Sequence, residues 1–302
     1  MRVTQSMLSG NMLHNLNNSY GRMSELQDQL NSGSKINRPS QDPVIAVKSM
    51  GYRRDLGKVE QFTRNMNEVN TWLDSTDDAL SQLEASIHRV HELTVDAAND
   101  TKTPADRQAI AEELKQIYKH MQEIGNTEIA GNHIFSGTNT LSPLFKADGK
   151  MNTAAELPGI NGNVEIEIYE GVTLKVNANV TKMFGNVQNA MTNIIDTIED
   201  DNATGKEIGD LIGLINDETN PDSMRSIVLN EHAKVGALQN RAEIMQDRLD
   251  IREIMIKTQM RDNESVDYSK AITEMVTHES IHQAALSVGA RIIQPTLVDF
   301  MR

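Results

Sequence analysis

From position 59 to 97 apolar residues recur in alternating steps of three and four: Val59, Phe62, Met66, Val69, Leu73, Thr76, Leu80, Leu83, Ile87, Val90, Thr94 and Ala97. A heptad stripe held this long predicts a long helix packed in a bundle or coiled coil. At the α-helical rise the segment is about 57 Å long, and longer if the helix begins near Val44. No Pro interrupts it, and Gly57 is the weak point nearest to it. A second helix opens at Thr103-Pro104-Ala105-Asp106. Thr103 can cap, Pro104 suits the first helical position, and Asp106 can complete a capping box while favouring the helix dipole. Ile110, Leu114, Ile117, Met121 and Ile124 then repeat at four and three. The short connection at 98–102 predicts that the two helices run antiparallel.

After Gly131 the texture changes, and Gly, Pro, Asn and Ser become frequent. Val164, Ile166 and Ile168 alternate with Glu165, Glu167 and Tyr169, and Val172, Leu174 and Val176 follow beyond Glu170-Gly171. Two short period-two runs around a Gly turn predict a β-hairpin. Helical patterning resumes at 187–198 and 208–215. It runs again from Pro221 to about 261, with Val235, Leu238, Ala242, Met245 and Leu249 at heptad spacing, and last at 268–293, before Pro295. The fold class expected is mainly α with a small β insert: a long antiparallel bundle in which N- and C-terminal segments bury their stripes against each other. The parts expected are terminal helices at 1–42 and 265–302, a helical bundle from 43–130 and 183–264, and a β-containing outer insert at 131–182. Near the start, Leu13, Leu16, Tyr20, Met23 and Leu30 form a stripe among Asn11, Asn15, Asn17, Asn18 and Ser19. Asn and Ser each cost up to ~0.7 kcal/mol of helix propensity relative to Ala. That stripe needs a partner to be helical, so both ends are expected to be mobile in the isolated monomer.

Composition narrows the function. The 302 residues are 38% hydrophobic but only 4% aromatic, with 16 Met, which suits aliphatic helix faces better than an enzyme pocket. Met7, Met12, Met23 and Met50, with Met255, Met260, Met275 and Met301, read equally well as core filler or as adaptable contacts at a subunit interface. A net charge of −14 gives no general attraction for nucleic acid or for an anionic membrane surface, so neither is an expected partner. Lys35, Arg38, Lys48, Arg53, Arg54 and Lys58 gather near the N-terminus and read as a solvated helix face. With no cysteine, disulfides and thiolate metal sites are excluded. The first residues lack a signal-peptide pattern and no apolar run reaches transmembrane length, so export would use a route that reads no cleavable apolar signal.

His278-Glu279-Ser280-Ile281-His282 matches H-E-x-x-H, which on a helix sets two imidazoles one turn apart beside a general base. The extended pattern fails, because Ala285 and Val288 stand where Gly and His would be required, and no Glu follows Glu279. The motif therefore reads as incidental helix-surface residues. His88 and His91 read as solvated side chains beside the long stripe, and Asp74, Asp77 and Asp78 lack the Gly and the closing Glu of a calcium loop. No catalytic, cofactor-binding or metal residue is expected, and no cofactor; the chain does not read as an enzyme.

Three segments resemble the flagellin family. In the first, Leu30-Asn31-Ser32-Gly33-Ser34-Lys35-Ile36-Asn37 leads into Arg38-Pro39-Ser40-Gln41-Asp42-Pro43-Val44, which looks like the turn between that family's terminal and long helices. Its Arg-Pro-Ser-x-Asp-Pro form is closer to the hook-associated branch, which joins hook to filament, than to flagellin itself. The second is Asn126-Thr127-Glu128-Ile129-Ala130-Gly131, continuing through Asn132-His133-Ile134-Phe135-Ser136-Gly137-Thr138. The third comprises Val235-Gly236-Ala237-Leu238-Gln239-Asn240-Arg241, Asp267-Tyr268-Ser269-Lys270-Ala271-Ile272 and the end around Leu297-Val298-Asp299-Phe300. The resemblance implies a tubular inner layer of terminal helices, a bundle outside it and a variable outward domain. It implies self-association in a ring between hook-associated protein 1 and flagellin subunits. It also implies passage through the flagellar type III export apparatus with a cytoplasmic export chaperone, and an extracellular place on the bacterial flagellum. A short flagellin is the nearest alternative, and a zinc peptidase a remote one.

Overall fold

A computed structural model describes residues 5–153, 156–178, 180–200, 203–217 and 220–292. Ile293, the segment 297–300 and Met301 lie outside the described residues. Eight helices carry the described chain: α1 (Gln5–Ser32), α2 (Pro43–Ala97), α3 (Pro104–Gly125), α4 (Val180–Glu199), α5 (Gly205–Asp210), α6 (Ile212–Asn216), α7 (Met224–Glu264) and α8 (Tyr268–Ile292). Two antiparallel hairpins, β1 (Glu128–Ile129) with β2 (Asn132–His133) and β3 (Glu165–Tyr169) with β4 (Val172–Lys175), complete it. The chain is thus mainly helical, as its periodicity predicts. It divides into two compact units: residues 1–58 with 251–302, and residues 59–250.

Within the unit 59–250 the core is the heptad stripe. Eleven of its twelve residues are buried, Met66, Val69, Leu73, Leu80, Leu83 and Val90 completely. Phe62 is half-buried and stacks on Tyr169 with centroids 6.0 Å apart. α3 starts where its cap dictates: the Thr103 hydroxyl accepts from the Asp106 N–H at 3.3 Å, and the Asp106 carboxylate accepts from the Thr103 N–H at 3.0 Å. Arg89 of α2 reaches Glu113 of α3 at 2.7 Å. α4 buries Met183, Phe184, Val187, Met191, Ile194 and Ile198, and Lys115 of α3 meets Glu199 at its end at 2.5 Å. A second capping box, Thr204 with Glu207, opens α5. The patterned run at 208–215 is not one helix. It breaks at Leu211 into α5 and α6, each about one turn and a half long.

β3 and β4 pair as their alternation predicts, Ile166 opposite Leu174 and Glu167 opposite Thr173, with a bulge before Tyr169 that brings Ile168 fully into the core. β1 and β2 turn on Ala130-Gly131, both at positive φ. Beyond them Phe135 packs edge-on against Phe184 at 5.4 Å, and Phe145 does the same at 5.6 Å. Asn126 clamps this loop with its side chain, donating to the Phe145 carbonyl at 3.0 Å and accepting from the Phe145 N–H at 2.7 Å. The second family-like segment is therefore structural core rather than a site.

Candidate functional site

The unit formed by residues 1–58 and 251–302 carries the surface most in need of a partner. α1 and α8 lie against each other. Their seam has heptad spacing on both sides. Half-buried or buried positions are Met12, Leu16, Ser19, Met23, Leu26 and Leu30 on α1, and Ala271, Met275, His278, His282, Ala285 and Gly289 on α8. The pairing is antiparallel. A methyl on Gly289 would collide with Met12, Tyr20 and His282 have ring centroids 6.2 Å apart, and Gly33 sits under the Tyr268 hydroxyl. The expected α1 stripe is corrected at two places: Leu13 and Tyr20 point outward, 57% and 61% exposed, and Ser19 and Leu26 take seam positions instead.

The H-E-x-x-H residues are corrected too. His278 and His282 are seam residues, half-buried against α1, while Glu279 is exposed on another side of the helix. The His282 Nδ1 and the Ser19 hydroxyl are both buried without a hydrogen-bond partner. Among the described residues no group of three His, Cys, Asp or Glu is arranged to hold a metal ion. Two imidazoles in a helix seam with their Glu turned away do not make a general-base site.

A tight clasp closes the unit. α1 ends at Gly33, whose φ of +68° is a left-handed conformation that Gly adopts without strain, and whose N–H donates to the Gln29 carbonyl at 2.8 Å. The chain then pairs with the α7–α8 connection: Lys35 N–H donates to the Glu264 carbonyl at 2.7 Å, and Val266 N–H to the Gly33 carbonyl at 3.1 Å. The Glu264 carboxylate accepts from the Ser49 hydroxyl and pairs with Arg53 at 3.0 Å. Asp42 caps α2, accepting from the Val44 and Ile45 N–H groups at 2.9 and 3.1 Å, with Pro43 at the first helical position. The first family-like segment is this clasp. Of the basic residues expected to be solvated, Arg53 is engaged in it, and Lys35 donates to the Asp262 carbonyl at 3.0 Å.

Around this frame exposed apolar side chains are concentrated among polar ones. Fifteen of the nineteen large hydrophobic residues exposed among the described ones belong to this unit. On α8 they flank the seam on both sides, Tyr268, Ile272, Val276 and Leu286 on one, Ile281 and Val288 on the other. These residues are interleaved with exposed Lys270, Glu274, Glu279 and Gln283, and α1 covers only the seam, so the apolar flanks of α8 stay in solvent. So concentrated an apolar surface marks an interaction site. An apolar cleft of about 260 Å³ lies along the seam, between Met12, Leu13 and Leu16 of α1 and Leu286, Gly289 and Ala290 of α8, with no titratable group in its lining. No described helix is long and apolar enough to cross a membrane. Sequence reasoning missed Val44, Val47, Ile251 and Ile254 of this surface, because apolar periodicity does not say which stripe faces the monomer's own core.

Two family descriptions match: bacterial flagellin N-terminal helical region over residues 3–140, and bacterial flagellin C-terminal helical region over residues 221–301. The chain is 25% identical over 189 residues to a flagellin of Clostridium tyrobutyricum; the match covers 61% of this chain and spans half of that flagellin's length. It is 22% identical over 304 residues to flagellar hook-associated protein 3 of Escherichia coli strain K12, covering 94% of this chain and 95% of that one. The crystal structure of Bacillus cereus FlgL superposes with a TM-score of 0.57 at 23% identity, over 70% of this chain and 99% of that one.

Proposed function

Because the chain belongs to the flagellin family by its matches at residues 3–140 and 221–301, we propose that it is the structural subunit that joins the flagellar hook to the filament. A structural component of the bacterial flagellum works by holding neighbours rather than by transforming a substrate, so this subunit is no enzyme. The observation that carries the reading is the apolar surface on both flanks of the α1–α8 pair, in a chain alike over nearly its whole length to a hook-associated protein. The subunits associate in a ring, with hook-associated protein 1 on one side and flagellin subunits on the other. Residues 1–42 and 265–302 form the inner assembly layer, 43–130 and 183–264 the bundle, and 131–182 the outer insert. The protein leaves the cell through the flagellar type III apparatus, escorted in the cytoplasm by an export chaperone that shields its C-terminal region.

The test is genetic and microscopic. A deletion strain should keep its hooks and shed flagellin into the medium unassembled, and immunogold label should sit in one narrow band between hook and filament. Filaments of normal length on the deletion strain would sink the proposal. A second reading, a short flagellin, is favoured by the match to the Clostridium tyrobutyricum flagellin. It expects label along the whole filament.

A further inference from the structure

The chain passes twice through one elbow, at residues 33–42 between α1 and α2 and at residues 265–267 between α7 and α8. Glu264, the last residue of α7, is bonded to both sides of it. Its carbonyl accepts from the Lys35 N–H at 2.7 Å, which ties α7 to the α1–α2 connection. One oxygen of its carboxylate accepts from the Ser49 hydroxyl and the other from Arg53 at 3.0 Å. Ser49 and Arg53 lie one turn apart on α2. Two further bonds run between the same parts. The Asn263 amide donates to the Ile45 carbonyl at 3.2 Å, and the Lys35 ammonium to the Asp262 carbonyl at 3.0 Å. The connection is also fastened to α1, where the Gln29 amide donates to the Lys35 carbonyl at 2.9 Å and the Asn37 amide to the Asp28 carbonyl at 3.3 Å.

Apolar packing is thin at this point. Cavities of about 150 and 410 Å³ flank Glu264, the first towards Pro39 and Met50, the second towards Leu56 and Met260. Among the described residues Glu264 is the one carboxylate that lines either of them, so no other acidic group stands ready to take its place. A side chain with space on two sides lacks the close-packed neighbours that would otherwise hold these elements in register. Their direction is then set by the hydrogen bonds, and charge-assisted ones fix geometry best. The Glu264 side chain is only 15% exposed and Ser49 is buried, so water competes little for these bonds.

We propose that Glu264 is a positioning residue for assembly: its carboxylate, held by Ser49 and Arg53, fixes the direction in which the α1–α8 pair leaves α2. That pair carries the apolar flanks that neighbouring molecules meet. An elbow free to swing would offer them at many angles, and ordering it would weaken every contact. The consequence for assembly rests on the reading of the chain as a flagellar subunit; the geometry rests on the elbow's own bonds.

The chain has no native cysteine, so spin labels can be set at Ser24→Cys on α1 and Lys48→Cys on α2, both exposed, in the full-length protein. Dipolar spectroscopy should give one dominant distance. Glu264→Ala should widen that distribution about twofold, while amide exchange over residues 73–93 stays as it was. Glu264→Arg should widen it as much. Adding Arg53→Glu to Glu264→Arg should then recover about half or more of the lost sharpness, because the exchanged pair restores a bond across the elbow. Several distances in the unsubstituted background, an unchanged width in Glu264→Ala, or no recovery in the exchanged pair overturns the proposal. Lost protection at 73–93 also overturns it, by making Glu264 a general stabiliser. In cells the Glu264→Ala protein should be exported yet leave flagellin in the medium, and filaments of normal length would count against the positioning role. Immunogold label along the whole filament, with the widths as expected, defeats the functional reading alone.

Discussion

Gly137 shows how a single position can be dictated. Its φ is +62°, and a Cβ there would run into the carbonyl oxygens of Gly159 and Ile160. Gly137→Ala combines a strained left-handed backbone with a collision against main chain, so it should destabilise the 59–250 unit by about 1–3 kcal/mol, read as a lower denaturation midpoint. Glu156 sets a pH dependence. Its carboxylate accepts from Lys146 at 2.6 Å and from the N–H and hydroxyl of Thr153 at 3.1 Å, and these bonds, the lysine first, hold its pKa at about 2 against an ordinary 4.5. A folded value below the unfolded one stabilises the protein above the unfolded pKa, and that contribution is lost as pH falls from 4.5 towards 2. Wild type should therefore melt slightly above Glu156→Gln at neutral pH, and the two should converge near pH 2. The capping carboxylates Asp106 and Glu207, lowered by their Thr103 and Thr204 partners, shift stability in the same direction.

At the scale of elements, α2 is held by its buried stripe far more than by its surface charges. Leu80 is fully buried. Leu80→Glu would place an uncompensated carboxylate in that core and should lower stability by about 3–5 kcal/mol in a thermal or denaturant melt. A melt matching wild type would show that the stripe does not form the core in solution. α8 behaves differently. His278 and His282 belong to its seam with α1, so replacing both with Gln should loosen the α1–α8 pair and leave metal content unchanged. Stoichiometric zinc in the native protein, lost on substitution, would reverse that assignment.

For the whole molecule, the two units should differ in stability. The 59–250 unit contains most of the completely buried side chains, while the α1–α8 pair has a polar, Asn-rich face and leaves Leu13, Tyr20, Ile272 and Val276 in water. The ends of the isolated chain should therefore open first and become fully ordered on assembly, which would confine polymerisation to the growing tip. Limited proteolysis should trim the monomer to a core of about residues 44–261, and amide exchange should be much faster over 13–30 than over 73–93. Equal protection of the two segments would show that the ends are preformed.

Much of this was legible in the residues themselves. The 59–97 stripe, the Thr103–Asp106 cap and the β3–β4 alternation each depend on neighbours at most a turn or a hairpin away, so local spacing determined them. The family-like segments are legible for a related reason: the Gly33 turn, the Asp42-Pro43 cap and the Gly137 bend are backbone demands that few residue types satisfy. Three features were decided only by tertiary structure. Leu13 and Leu16 are both apolar and both fit a helical period, and which one enters the seam depended on the register of α8. His278 and His282 read as surface residues until α1 covered them. Val44, Val47 and Met50 have the spacing of a core stripe, yet the helix turns Ala46 and Ser49 inward, towards the clasp built on Glu264. Apolar periodicity records that a face will be buried; the partner that buries it is set by contacts distant in sequence or supplied by another chain.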